Sequence, residues 1–182
     1  MPSETELIKL YSDKILQMAA KPIYRERLSE PDASATKRSP LCGSAVTVDI
    51  NVESGVITHY GQDVRACALG QASSTIIGKS IIGRSITEVR KAFEELSEML
   101  KNNGPTPSEP FDDLYILQPA SEYKNRHASI LLPIEATLAA FQKIEDGQTI
   151  RFPWINVDEE KSLSIIVGNA IPDPPINLAG YG

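Results

Sequence analysis

A chain of 182 residues that is 41% hydrophobic has enough apolar material for one ordinary domain and an appendage, which excludes wholesale disorder. Its net charge of −6, with Lys and Arg scattered rather than striped, argues against a nucleic-acid partner. No apolar run approaches the length of a bilayer crossing, and the polar start MPSETELIKLYSDK has no signal-peptide core, so a cytoplasmic protein with no membrane partner is expected.

In chain order, Leu7, Leu10, Tyr11, Ile15 and Leu16 recur at helical spacing and predict an amphipathic helix from Glu4 to about Ala20, ending before Pro22. Arg27 to Pro40 reads as a loop. Val46, Val48, Ile50 and Val52 alternate with Thr47, Asp49 and Asn51, the pattern of a strand with one buried face. Glu53-Ser54-Gly55 supplies a turn, Val56 to Tyr60 pairs back, and Gln62 to Ala66 continues as strand or bulge, with Gly61 breaking the pattern.

The small-residue run from Gly70 to about Ile82 predicts a closely packed helix whose N-terminus, the positive end of its dipole, lies beside Cys67. Ser85-Ile86-Thr87-Glu88 has the spacing of a capping box, so the next helix begins at Ile86, buries Val89, Phe93, Leu96 and Leu100, and stops at Asn102 to Pro105. Phe111 to Gln118 predicts a short helix broken by Pro119. Arg126 to Ser129 reads as a connection into a long helix from Leu131 or Pro133, with Ile134, Leu138 and Phe141 towards the core. At Asp146 the character changes, so residues 1–145 form the main domain and 146–182 an extension. In the extension, Leu163 to Val167 reads as an added strand and Trp154 as a packing residue, with a disordered end as the competing reading.

The chemistry-bearing residues bracket the predicted hairpin. Cys42 and Cys67 lie at its two ends, and a hairpin that returns the chain to its start brings two such thiols within ligand distance. Two buried free thiols are the blander alternative, and under oxidation a disulfide is a third. His59 reads as a surface or pairing residue, and Asp112-Asp113 and Glu159-Glu160 as solvated charge.

LCGSAVTVDINV at Leu41 to Val52 and VITHYGQDVRACALGQASS at Val56 to Ser74 resemble the NifU/IscU/SufU-type iron-sulfur cluster scaffold family. There a Cys-Gly-Asp turn opens a small antiparallel sheet, and a second cysteine precedes a helix start rich in Ala and Ser. The likeness continues through GRSITE at Gly83 to Glu88 and YKNRHASILLPIEA at Tyr123 to Ala136. It implies an α+β fold of SufE/NifU-like type, with a small antiparallel sheet of about three strands packed against four to five helices, plus the C-terminal extension.

The resemblance also implies a ligand set, here incomplete. Cys42 and Cys67 match the first two cysteine positions, but Ser44 stands where the family has Asp. Either Ser129 or, in a shifted register, His127 falls at the third cysteine, with Arg126 beside it as electrostatic support. Imidazole is a good zinc ligand and an occasional iron-sulfur ligand, whereas a neutral hydroxyl is poor at both tasks. The cargo implied is an Fe-S cluster, iron or zinc. The partners implied are a cysteine desulfurase, which could load sulfur on Cys42 or Cys67, and Fe-S acceptor proteins, with a homodimer able to share the site. A scaffold or carrier is implied rather than an enzyme, although a zinc-dependent sulfur transferase fits the same residues. The rival reading is a metal-free adaptor or regulator on the same fold.

Overall fold

The structure is a computed structural model that describes residues 12–39 and 43–149. The part of the expected N-terminal helix before Ser12, Cys42, Trp154 and the strand expected at Leu163 to Val167 lie outside the described residues. The described elements are α1 (Asp13–Ala20), β1 (Ala33–Arg38), β2 (Ala45–Glu53), β3 (Val56–Arg65), α2 (Ala68–Ser80), α3 (Ile86–Asn102), a 3-10 helix (Asp112–Glu122) and α4 (Lys124–Thr149). They form the expected α+β arrangement, a three-stranded antiparallel sheet in the order β1-β2-β3 with helices packed on it. None of the described helices is long and apolar enough to cross a membrane.

The sheet grows from its central hairpin. Ser54 and Gly55 both take positive φ, 51° and 80°, the twist that joins two antiparallel strands through a two-residue turn. Val46, Val48 and Ile50 are completely buried on one face, each contributing about 1.5–3 kcal/mol relative to an exposed position. A register shift beside Asn51 pairs Val52 with Ile57, and the Thr58 hydroxyl donates to the Asn51 carbonyl across the irregularity.

Three expectations about the sheet need correction. The stretch from Arg27 to Pro40, read as a loop, contains edge strand β1, pairing Ala33 with Ile50 through Arg38 with Ala45. Its buried residues are Ala33 and Ala35, too small to register as an apolar alternation. Gly61 does not interrupt β3, which runs through it opposite Asp49. A Cβ at Gly61 would sit 2.5 Å from the Glu26 carbonyl oxygen, so glycine serves here to let the segment around Glu26 lie on the strand. Asp49, expected on the polar face, is fully buried beneath that same segment.

Arg27 clamps the Asp49 carboxylate with two guanidinium nitrogens, and the Leu28 N–H donates to it at 3.1 Å. Burial alone would raise the Asp49 carboxyl, but hydrogen bonds from Arg27, Ser34 and Leu28 outweigh it and hold it below its ordinary value.

The capping box starts α3 as expected. Ser85 accepts from the Glu88 N–H, and the Glu88 carboxylate accepts from the Ser85 N–H at 2.9 Å. Val89, Ala92, Leu96, Met99 and Leu100 form its buried stripe, with Phe93 only partly covered, and Asn103 closes it at φ 51°. The next element is a 3-10 helix that continues through Pro119 to Glu122 instead of breaking there. The expected connection at Arg126 to Ser129 is instead helical, because α4 begins at Lys124 and Pro133 lies in its interior.

Candidate functional site

The site is built where three segments meet. Cys67 directly follows β3's end at Arg65-Ala66 and is the N-cap residue of α2, in extended conformation with φ −64° and ψ 171°. Behind it, α2 presents Gly70, Ala72, Ser73 and Ser74, all buried. A Cβ at Gly70 would lie 2.7 Å from Ser129 Oγ and 3.0 Å from the Ser129 carbonyl oxygen, so only glycine admits α4 this closely. The Ser73 hydroxyl then donates to the Ile130 carbonyl at 2.7 Å, fixing α4 against α2 within one residue of Ser129. Pro133 carries no amide hydrogen, so the Ser129 carbonyl has no donor four residues on along the helix.

These contacts put the completely buried Ser129 hydroxyl 3.4 Å from Cys67 Sγ and 3.2 Å from Ser44 Oγ. Ser44 enters from the turn before β2, where the Ser39 N–H donates to the Ser44 carbonyl at 2.8 Å and Gly43 takes φ +68°. Ser44, Cys67 and Ser129, from three separate parts of the sequence, therefore form one contiguous cluster. Cys42, one residue before Gly43, lies outside the described residues.

His127 lies apart from this cluster. Two residues along an α-helix turn the side chain by about 200°, so His127 and Ser129 leave α4 in nearly opposite directions. His127 is buried, and its Nε2–H donates to the Ala120 and Ser121 carbonyls at 3.0 and 3.1 Å. That bond pins α4 to the preceding 3-10 helix. Arg126 is half-buried and forms no ion pair among the described residues.

Two hydroxyls and one partly buried thiol form a hydrogen-bonding chain, in which Ser129 can donate to one neighbour while accepting from the other. A thiolate is a soft ligand for zinc or iron, whereas hydroxyls add only weak, hard donors. Among the described residues, no group of three or more His, Cys, Asp or Glu side chains is placed to hold a metal ion. The sequence did not single out Gly70 or Ser73, the residues that set the α2–α4 contact. Their signal was a run of small residues, of which Ser73 also falls in the Ala- and Ser-rich helix start of the family resemblance, and such a run suits an ordinary packed helix as well.

The fold agrees with known proteins. A family model described as the NifU-like N terminal domain matches residues 10–129. The iron-sulfur cluster assembly scaffold protein IscU of Thermotoga maritima is 28% identical over 90 residues, which is 50% of this chain and 63% of that protein. The aligned stretch thus spans less than two thirds of that relative. The crystal structure of a nitrogen-fixing NifU-like protein (N-terminal) from Brucella abortus superposes with a TM-score of 0.76 at 41% identity, covering 78% of this chain and 98% of that one. A putative iron-sulfur cluster assembly scaffold protein for the SUF system from Fervidobacterium islandicum AW-1 shares the fold, with a TM-score of 0.67 at 19% identity over 73% of this chain and 97% of its own. With a matched stretch that runs from α1 to Ser129 and takes in the whole sheet, this chain belongs to the NifU-like N-terminal domain family, of the NifU/IscU/SufU type.

Proposed function

We propose that this protein is a cytoplasmic scaffold-type carrier in iron-sulfur cluster assembly, which holds iron or a transient cluster as cargo on Cys42 and Cys67. The observation that carries the reading is the contact of Cys67 Sγ with Ser129 Oγ at 3.4 Å, extended to Ser44 Oγ at 3.2 Å. It favours Ser129 over His127 for the third ligand position and Ser44 for the family's Asp. Similarity to the Thermotoga scaffold protein and to the Brucella NifU-like domain supports the functional class. A cysteine desulfurase would supply sulfur, and Fe-S acceptor proteins would take the finished cargo. With hydroxyls in two ligand positions, cargo is held more weakly than by a full thiolate set, which suits transfer better than storage. Zinc is the competing ion for the same thiols.

The test is anaerobic reconstitution of the full chain with ferrous iron and sulfide, followed by elemental analysis and absorption spectroscopy. Iron and sulfide bound at a fixed ratio, stripped readily by a chelator and absent from Cys42→Ala and Cys67→Ala, is the expected result. Ser129→Cys should slow the chelator at least about tenfold, because it replaces a weak oxygen donor with a thiolate.

A second reading is favoured by the chemistry of the Ser44–Ser129 pair, two hydroxyls at positions where thiolate or carboxylate ligands would hold a metal ion better. On that reading the protein is a metal-free adaptor or regulator. Wild-type protein that stays free of iron, zinc and sulfide after reconstitution, while Ser129→Cys takes them up, would establish it and end the carrier reading.

A further inference from the structure

Strand β1 forms one edge of the sheet, with β2 on its inner side and no strand beyond it among the described residues. The direction of its main-chain groups follows from its last contact with β2. The Ser39 N–H donates to the Ser44 carbonyl at 2.8 Å, which makes these two a hydrogen-bonded pair, and such pairs alternate with non-bonded ones along an antiparallel ladder. Ala33, Ala35 and Lys37 therefore bond to β2, while Ser34, Thr36 and Arg38 turn their N–H and C=O groups outward. Two contacts agree with this. The Ser34 carbonyl accepts from Lys143 Nζ of α4 at 2.6 Å, and the Thr36 and Thr47 hydroxyls meet at 2.8 Å, as side chains do at a non-bonded pair.

The edge is open to another strand. Thr36, Lys37 and Arg38 are exposed, and no proline interrupts Ala33–Arg38. Its charges are also ordered along it. Asp32 lies just before the strand and Arg38 ends it, both exposed and neither in an ion pair among the described residues. Asp32 Oδ2 accepts from the Val52 N–H at 2.8 Å, which holds the carboxylate at the start of β1 and leaves its other oxygen for a cation.

We propose that β1 pairs antiparallel with β1 of a second copy of this chain, about a two-fold axis at Ala35, joining two sheets into one of six strands. The outward groups and the charges together set the register. With Ala35 opposite itself, Ser34 and Thr36 of each chain exchange main-chain hydrogen bonds with Thr36 and Ser34 of the other, and Asp32 of each lies opposite Arg38 of the other. An axis at Thr36 or Lys37 loses both charge pairs, and one at Lys37 sets that lysine against its own copy. A lysine at a strand edge opposes such pairing, and Lys143 must yield the Ser34 carbonyl, so the dimer is weak and reversible. Ser44 lies at the Arg38 end of β1, and the two-fold reverses the strands. The two thiol clusters therefore fall at opposite ends of the joined sheet, each within one chain.

The experiment is sedimentation velocity of the full-length, metal-free protein from about 10 μM to about 1 mM, with the variants Arg38→Lys, Arg38→Asp and Asp32→Arg. Wild type should pass from monomer to dimer with a Kd of about 0.1–1 mM, in keeping with an interface below the standard size. Arg38→Lys keeps the charge and should associate as the wild type does. Arg38→Asp and Asp32→Arg each set like charges opposite one another and should associate at least about tenfold more weakly alone. An equimolar mixture of those two, in which every charge faces its opposite, should recover the wild-type affinity. The proposal is overturned if the wild type stays monomeric at about 1 mM, if Arg38→Asp associates as tightly as Arg38→Lys, or if the mixture of the two folded variants stays monomeric. Should Asp32→Arg fail to fold, the contrast between Arg38→Asp and Arg38→Lys decides alone.

Discussion

Helices α2 and α3 back the same fold by opposite means. Helix α3 is one-sided: a stripe of Val89, Leu96, Met99 and Leu100 fills volume in the core, and a capping box and a left-handed Asn103 fix its ends. Helix α2 is buried on nearly every side from Leu69 to Gly78, and its key contacts depend on missing volume. At Gly70 the main chain of α4 comes close enough to exclude a methyl group, and at Gly78 an added Cβ would lie 3.1 Å from the Ile23 side chain. The first helix is held by area removed from water, which sets how stable the domain is. The second is held by close approach, which sets where Ser129 stands relative to Cys67.

Truncation of the stripe should separate these roles most sharply. Leu96→Ala removes a completely buried side chain and should lower the unfolding free energy by about 2–5 kcal/mol in a denaturant titration. Cargo bound per folded molecule should nevertheless be unchanged. Gly70→Ala should reverse the pattern, with a smaller loss of about 1–3 kcal/mol from overpacking but a clear loss of reconstituted cargo, as Ser129 is forced away from Cys67. If Gly70→Ala keeps full cargo, the division of labour between the two helices fails.

The smallest effect belongs to the α3 cap, where Ser85→Ala should cost about 1 kcal/mol and leave the site untouched. Its pH dependence has a definite sign. The Glu88 carboxyl lies below its ordinary value, chiefly because it accepts from the Ser85 N–H and hydroxyl. Its stabilisation is therefore fully present above the unfolded-state pKa of about 4.3 and is lost as pH falls through the folded one. The gap in thermal midpoint between wild type and Ser85→Ala should narrow without closing as the pH is lowered through that window, because the variant keeps the backbone N–H and lacks only the hydroxyl's bond to the Glu88 carboxylate.

Features governed by local rules were legible in the sequence. The Ser-x-x-Glu spacing located the start of α3 at Ile86, and the alternation of Val46, Val48 and Ile50 gave β2 and its buried face. Features governed by what covers a surface were not. Strand β1 hides two alanines, and Asp49 looked solvent-facing because nothing local announces that Arg27 folds back over it. The third ligand position failed to resolve for a related reason. His127 and Ser129 are two residues apart, and choosing between their faces requires the axial phase of α4. That phase is set by Gly70 and Ser73 on a different helix. The family resemblance carried over the fold, but not this phase.

The proline inside α4 has a mechanical consequence. With no amide on Pro133 to latch Ser129 into the ladder, α4 lacks one rung, which divides it into a leading and a trailing rod. The leading rod is clipped to its neighbours by Ser73 and by His127. In the trailing rod the Thr137 hydroxyl holds the Pro133 carbonyl and meets the Tyr60 phenol at 3.3 Å. The one rung that Pro133 removes is the one the Ser129 carbonyl would have accepted, so the buried serine beside Cys67 takes its place from contacts with α2 more than from its own helix.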